Sequence, residues 1–266
     1  MTAQTATKLQ NYAQLTADSA SVAVSSYENW SAFLATAARL YKLTFPETLC
    51  IWFQRPEATA CADWCTWDKA NRYVRRFARS IGVIKTVDGE PTLRYVFDVA
   101  DTGPRKGAPC PFLWENKDEY QSIIPAALED QFNVPCDDRG LTAQLATIAV
   151  QFAQRFWNDN HEQIVESAGD WPSDCTGENF QDTVAASAGY AILSRCGLHP
   201  EQLFDAADFA NISKFSSFGM VLALGTAVSR CIESVLRCIE AAIEQYERDK
   251  LVPVPEAERA QIETAA

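Results

Sequence analysis

Residues 81–99 read IGVIKTVDGEPTLRYVFDV. Ile81, Val83 and Ile84 make a short β-rich run, and Leu93, Tyr95, Phe97 and Val99 alternate with Arg94, Val96 and Asp98. Asp88-Gly89 stands between the two runs. Both residue types tolerate the positive φ of a tight two-residue turn, so the pair predicts an antiparallel hairpin. The apolar spacing on either side of this stretch is helical, and the expected fold class is α+β, predominantly helical. A small antiparallel hairpin or sheet unit with helices is followed by a helical bundle.

Upstream, residues 27–43 carry Trp30, Phe33, Leu34, Ala37, Leu40 and Tyr41 at helical spacing. Thr44 and Pro46 mark the start of a second helix, PETLCIWFQR, apolar nearly all round and therefore buried. Thr66 is the expected cap of a short helix beginning at Trp67. Residues 1–25, rich in Thr, Ala, Ser and Gln without a sustained apolar period, read as a flexible N-terminal arm, a weak helix being the alternative. Downstream, three prolines and two glycines in 102–111 predict a loop. Helices are expected at 118–132, 141–167, 178–196 and 217–248, with a short helical piece after Pro200. The last long one has Val221, Leu224, Val228, Ile232, Val235, Ile239, Ala242 and Tyr246 every three or four residues. The expected organisation is an α+β unit at 26–106, an acidic helical domain at 107–248, and a tail or linker at 249–266.

The 266 residues are 47% apolar and 22% charged, the balance of a folded protein. A formal net charge of −12 excludes a bulk-basic nucleic-acid coat protein and a polybasic membrane binder. In the apolar C-terminal region the longest uncharged stretch, 215–229, is shorter than the about 18–20 residues of a spanning helix. The N-terminus lacks a charged-then-apolar signal pattern, so a cytoplasmic protein without a membrane partner is expected. Nine irregularly spaced cysteines read as small reduced core residues instead of a disulfide framework.

The charge is unevenly spread. Residues 69–106 hold nine basic and four acidic residues, a net +5, while 107–266 carry a net −15. An acidic chain with one basic island predicts a local anion site. The island also holds Trp64 at its border, Trp67, Tyr73, Phe77 and Tyr95. Interleaved cations and aromatic planes suit a single-stranded nucleic acid, whose phosphates meet Arg and Lys while its bases stack. Trp67 and Phe97 are assigned instead to the core of the small unit. The candidate nucleic-acid-binding residues are Lys69, Arg72, Tyr73, Arg75, Arg76, Arg79, Lys85 and Arg94.

Catalytic signals are thin. His161-Glu162 opens like a zincin helix but lacks a second histidine one turn on, and His199 before Pro200 reads as a surface or capping residue. Cys61 and Cys65 have no second close ligand pair. No phosphate-binding GxxxxGK[ST] loop, GxGxxG or GxSxG is present. No catalytic residue, metal or cofactor is therefore predicted, and the chain is not expected to be an enzyme.

Several strings resemble a known protein group. WSAFLATAARLYKLTFPETLCIWFQRPEATACADWCTWDKANRYVRR, LRYVFDVADTG, SRCGLHPEQLF and ALGTAVSRCIESVLRCIEAAIEQYER are similar to the N-terminal region of very large proteins of conjugative and integrative elements in Gram-positive gut bacteria. In those proteins the region precedes a methyltransferase-like or helicase portion. Its first part resembles the single-stranded-DNA-binding N-terminal domain of ArdC-type antirestriction proteins. The likeness covers about 30–248, and is most specific at Gln54-Arg55-Pro56, Ala58-Thr59-Ala60, Trp67 and Arg72-Tyr73-Val74-Arg75-Arg76, then at 94–99. It departs at Phe77-Ala78-Arg79-Ser80-Ile81, where the family has two glycines that let backbone amides approach a phosphate. The side-chain cations remain.

Two functions from different classes fit. One is a non-catalytic, single-stranded-DNA-binding accessory module of a mobile element, related to antirestriction, with a mobile-element helicase or methyltransferase as a further partner. The other is an acidic protein-binding inhibitor of a host defence nuclease, of antirestriction or anti-CRISPR type.

Overall fold

The computed structural model describes residues 3–251 apart from 110, 112 and 170. The fold is predominantly helical α+β, as the sequence predicts. Its N-terminal helices are α1 (Ala3–Ala23), α2 (Tyr27–Arg39) and α3 (Phe45–Gln54). Then come β1 (Cys61–Asp63), α4 (Trp64–Lys69), β2 (Arg72–Val74), β3 (Ile81–Val87), β4 (Glu90–Asp98) and β5 (Thr102–Pro104). The C-terminal helices are α5 (Ile123–Phe132), α6 (Gly140–Ala168), α7 (Gly177–Arg195) and α8 (Phe218–Leu251). The tail expected at 249–266 falls outside the described residues from 252 onward.

The hairpin is where the alternating pattern put it. β3 and β4 pair antiparallel from Ile81↔Val96 to Val87↔Glu90, and β1 adds to the other side of β4 through Cys61↔Asp98. Asp88 (φ 52°) and Gly89 (φ 81°) both take the left-handed conformation that a two-residue turn between twisted strands requires. Ile81, Val83 and Val96 bury one face against Leu40, Cys50, Ile51 and Ala58. The free edge of β3 is blunted by α3: the Gln54 amide donates to Gly82 O (2.8 Å) and accepts from Gly82 N (3.2 Å).

Helix ends follow local chemistry. The Ser26 hydroxyl accepts from Asn29 N at the start of α2, and the Glu47 carboxylate takes Thr44 N (3.0 Å) and Thr44 Oγ1 (2.7 Å) at the start of α3. The cap expected at Thr66 is corrected. Asp63 accepts from Thr66 N at 2.7 Å and α4 begins at Trp64, because a carboxylate satisfies the first-turn amides better than a hydroxyl three residues later.

Residues 3–23 are a helix packed on the molecule, which corrects the flexible arm. Its buried positions are Thr16, Ser19, Ala20 and Ala23, small or polar residues that carry no apolar signal. The hydroxyls enter the interior because they return to their own helix, Thr16 Oγ1 to Tyr12 O (2.8 Å) and Ser19 Oγ to Leu15 O (2.6 Å).

The core does not divide at residue 107, as the two-domain organisation expects. Trp30, Phe33, Phe45 and Leu49 of α2 and α3 share one cluster with Leu145 of α6, Phe180 and Ile192 of α7, and Leu224, Ile232 and Ile239 of α8. The Trp30 indole donates to Ser187 Oγ (2.9 Å) deep inside. A second, smaller apolar cluster lies between the sheet and Leu40, Cys50, Ile51 and Ala58. The predicted stripe of α8 is buried at Val221, Leu224, Val228, Ile232, Val235 and Ile239, and Glu233–Arg237 pairs at 2.7 Å on the exposed side. α8 is also long and apolar enough by length and composition to cross a membrane, with 56% of its most apolar window buried in the bundle. Of the cysteines in the described residues, Cys50, Cys175, Cys196, Cys231 and Cys238 are buried free thiols, while Cys65 and Cys136 are exposed.

Candidate nucleic-acid interface

The basic island folds into the strand unit. Asn71, with φ 56°, reverses the chain after α4, so 72–74 form a strand and 75–80 an exposed connection. Arg72 thus lies on a strand, and Arg75, Arg76 and Arg79 on the connection after it, not on a helix. β2 finds its partner in β5, inside the predicted loop, with Arg72↔Pro104, Tyr73↔Gly103 and Val74↔Thr102. The Tyr73 ring lies over Gly103, 2.6 Å from where a Cβ would stand, so a side chain there would have to displace the ring.

The eight predicted residues fall into four groups. Arg72 and Arg75 lie on the ribbon and hold Thr102 from two sides, Arg72 Nε to Oγ1 (2.8 Å) and Arg75 Nε to the carbonyl (3.1 Å). Arg72 is half-buried and Arg75 exposed, and each thus has a structural role beside whatever charge it presents. Tyr73 is exposed between them.

Arg76 and Arg79 are exposed on the connection. Between them Phe77 is 87% exposed, and its φ is +69°. A bulky residue in that conformation is strained, and its ring has no core to enter. The Arg76 guanidinium lies 4.8 Å from the ring centroid.

Lys69, the last residue of α4, and Arg94 of β4 are exposed, and both act electrostatically on Asp63. The Thr66 amide and hydroxyl hydrogen-bonding to Asp63 hold its carboxyl below the usual range, and these two cations add to that. Lys85 faces Thr92 across the hairpin, two residues from Arg94, and its Nζ lies 3.9 Å from the buried Glu47 of α3. Among the described residues, no carboxylate forms an ion pair with Lys69, Arg72, Arg75, Arg76, Arg79 or Arg94.

Two cations outside the predicted set belong here. Arg105 N donates to Asn71 O (3.0 Å) and the Asn71 amide to Lys106 O (3.3 Å), which places both residues beside the ribbon. Arg105 is tied to Asp68 at 2.8 Å. Both lie within the basic island, but only the β2–β5 pairing reveals their position. Trp64 and Tyr95 are also exposed, Tyr95 edge-on to Tyr12 of α1. Trp67 is buried and donates to Phe97 O (2.9 Å), and Phe97 is half-buried, in line with their assignment to the core.

The stretch 54–60 is occupied by structural contacts. Asp98 is 2% exposed, and its Oδ2 accepts from Thr59 N (2.7 Å) and Ala60 N (3.1 Å) while Oδ1 accepts from Ala100 N (2.9 Å). Arg55 pairs with Asp101, and Arg39 donates to the carbonyls of Pro56 and Ala58. The network has no signature in the sequence because most of its bonds have a main-chain atom at one end, amides donating to Asp98 and carbonyls accepting from Arg39.

Comparison with protein-family models, with curated proteins and with solved structures finds no match for this chain.

Proposed function

We propose that the strand unit binds single-stranded nucleic acid, without base specificity and without catalysis, as an accessory module of a bacterial mobile element acting in the cytoplasm. The observation that carries this reading is the connection 75–80. There an exposed, conformationally strained Phe77 stands between Arg76 and Arg79, two exposed cations with no carboxylate partner among the described residues. Bases stack on an aromatic plane at about 1–3 kcal/mol each, and flanking guanidiniums meet the phosphates. Trp64, Tyr73 and Tyr95 are further stacking surfaces on the same unit.

The test is oligonucleotide binding to the full chain from about 50 to 200 mM salt, a range over which counterion release changes affinity strongly. Each phosphate contact contributes about −0.7 to the slope of log K against log salt for a single strand. Arg76→Ala with Arg79→Ala should flatten the slope by about 1.4. Phe77→Ala should weaken binding about tenfold with the slope unchanged. Absence of binding at the lowest salt would remove this function. It would favour the acidic inhibitor of a defence nuclease, for which the net −15 of residues 107–266 is the supporting feature.

A further inference from the structure

A cavity of about 500 Å³, lined by none of residues 75–80, lies between the end of α2, residues 59–61, residues 113–115, the end of α7 and Glu240 of α8. Its volume is in the range of small-molecule sites. Arg195, the last residue of α7, lines it. Its guanidinium lies 3.8 Å from the Trp114 ring centroid, and its Nη2 donates to Trp114 O (2.6 Å). Trp114 is buried and its indole donates to the Tyr41 hydroxyl (3.1 Å). On the wall shared with α2, Arg39 gives its donors to the carbonyls of Ala35, Pro56 and Ala58 and to Thr36 Oγ1.

The charges around this space do not close. Glu240 is buried, but Lys42 already takes its carboxylate at 2.6 Å. Glu115 is an exposed acid at the rim. Asp98 and Glu57 act on Arg39 only through space, as Glu240 and Glu115 do on Arg195. Among the described residues, neither guanidinium has an ion-pair partner. Burial pulls both below the ordinary arginine range, the direction expected of cations whose lost hydration is not fully replaced. The only acceptor that Arg195 meets among the described residues is one carbonyl, so most of its five donors have no partner among them. A half-buried cation is costly unless paired, and this protein, with acids in excess, places two of them without carboxylates at one cavity.

We propose that this cavity binds a small organic anion, its carboxylate, sulfonate or phosphate group on Arg195 and its apolar body against Leu43 and Leu113. Arg195 is held by stacking on Trp114, so the fork is oriented before the ligand arrives. Arg39 adds positive potential from the α2 wall. The Lys42–Glu240 pair keeps the buried carboxylate from repelling the ligand.

The test uses the full chain and two dyes of similar shape. 8-Anilinonaphthalene-1-sulfonate carries the anion, and N-phenyl-1-naphthylamine is its neutral counterpart. The sulfonate should bind at one saturable site at least tenfold more tightly than the neutral dye. Arg195→Gln should weaken it at least tenfold. Lys42→Gln leaves the Arg195–Trp114 platform in place and uncovers Glu240, and should weaken it severalfold. Arg237→Gln, on the exposed side of α8, should change nothing. Thermal melts report folding, and if Arg195→Gln does not fold, Lys42→Gln alone decides. Equal affinity for the neutral dye, no saturable site, or full binding in Lys42→Gln would overturn the proposal. So would binding that Phe77→Ala abolishes, because the dye would then sit on the exposed aromatic unit.

Discussion

Asp98→Asn separates a structural carboxylate from a merely buried one. In the native chain Oδ2 accepts two main-chain amides, Thr59 N at 2.7 Å and Ala60 N at 3.1 Å, and Oδ1 accepts Ala100 N at 2.9 Å. Asparagine keeps one oxygen. Whichever way its amide turns, an NH2 group faces at least one main-chain N–H, so a hydrogen bond is replaced by a donor–donor contact. Hydrogen bonds to a charged group contribute about 1.5–3 kcal/mol each. Losing one outright and weakening the other two by removal of the charge would cost about 4 kcal/mol if water were excluded. Thr59 and Ala100 are exposed, so water reaches part of the freed amides and the expected loss is about 2–3 kcal/mol. That is a large fraction of the about 5–15 kcal/mol that holds a typical domain. Urea unfolding with the midpoint followed by tryptophan fluorescence measures it. A change under about 0.5 kcal/mol, the usual range of a surface substitution, would refute the view that Asp98 ties residues 59–60 to β4.

Three further outcomes are expected. Gly225→Ala would set a Cβ 2.2 Å from the ring of the fully packed Phe45, and this overpacking should cost about 1–3 kcal/mol by the same unfolding assay. Asp63 caps α4 with a depressed carboxyl pKa, so its contribution is present above the ordinary value near 4 and is lost as pH falls through the lower folded value; Asp63→Ala should cost about 1 kcal/mol at pH 7 and progressively less as the solution is acidified. Cys65 and Cys136 should label rapidly with a maleimide in the native state, as mapped by peptide mass spectrometry, while Cys196, buried and pushed up to about 12, should label only on unfolding.

The hairpin was legible from sequence because its information is local. A period of two, a β-rich run and an Asp-Gly pair are all within nineteen residues, and β3, the turn and β4 follow them closely. The α8 stripe was legible for the same reason, since a helix face is written in spacing alone. The basic island was visible as charge, and its aromatics as letters. α1 was not, because burial through Thr16, Ser19, Ala20 and Ala23 depends on close approach to a neighbour, not on apolar content.

What the sequence by itself determined was therefore the α+β class, the hairpin with its turn, the extent of the long helices and the place of the cations along the chain. Only the tertiary structure decided that 72–74 pair with 102–104, since a three-residue strand has no signal until its partner's amides are in reach. That pairing gives Arg72 and Arg75 structural bonds, moves Arg105 and Lys106 beside them, and leaves Arg76, Phe77 and Arg79 exposed. Tertiary packing also fused the N-terminal helices with the acidic half into one core. The apolar faces of α2 and α3 name no partner in sequence, and any complementary face close enough to exclude water stabilises them equally.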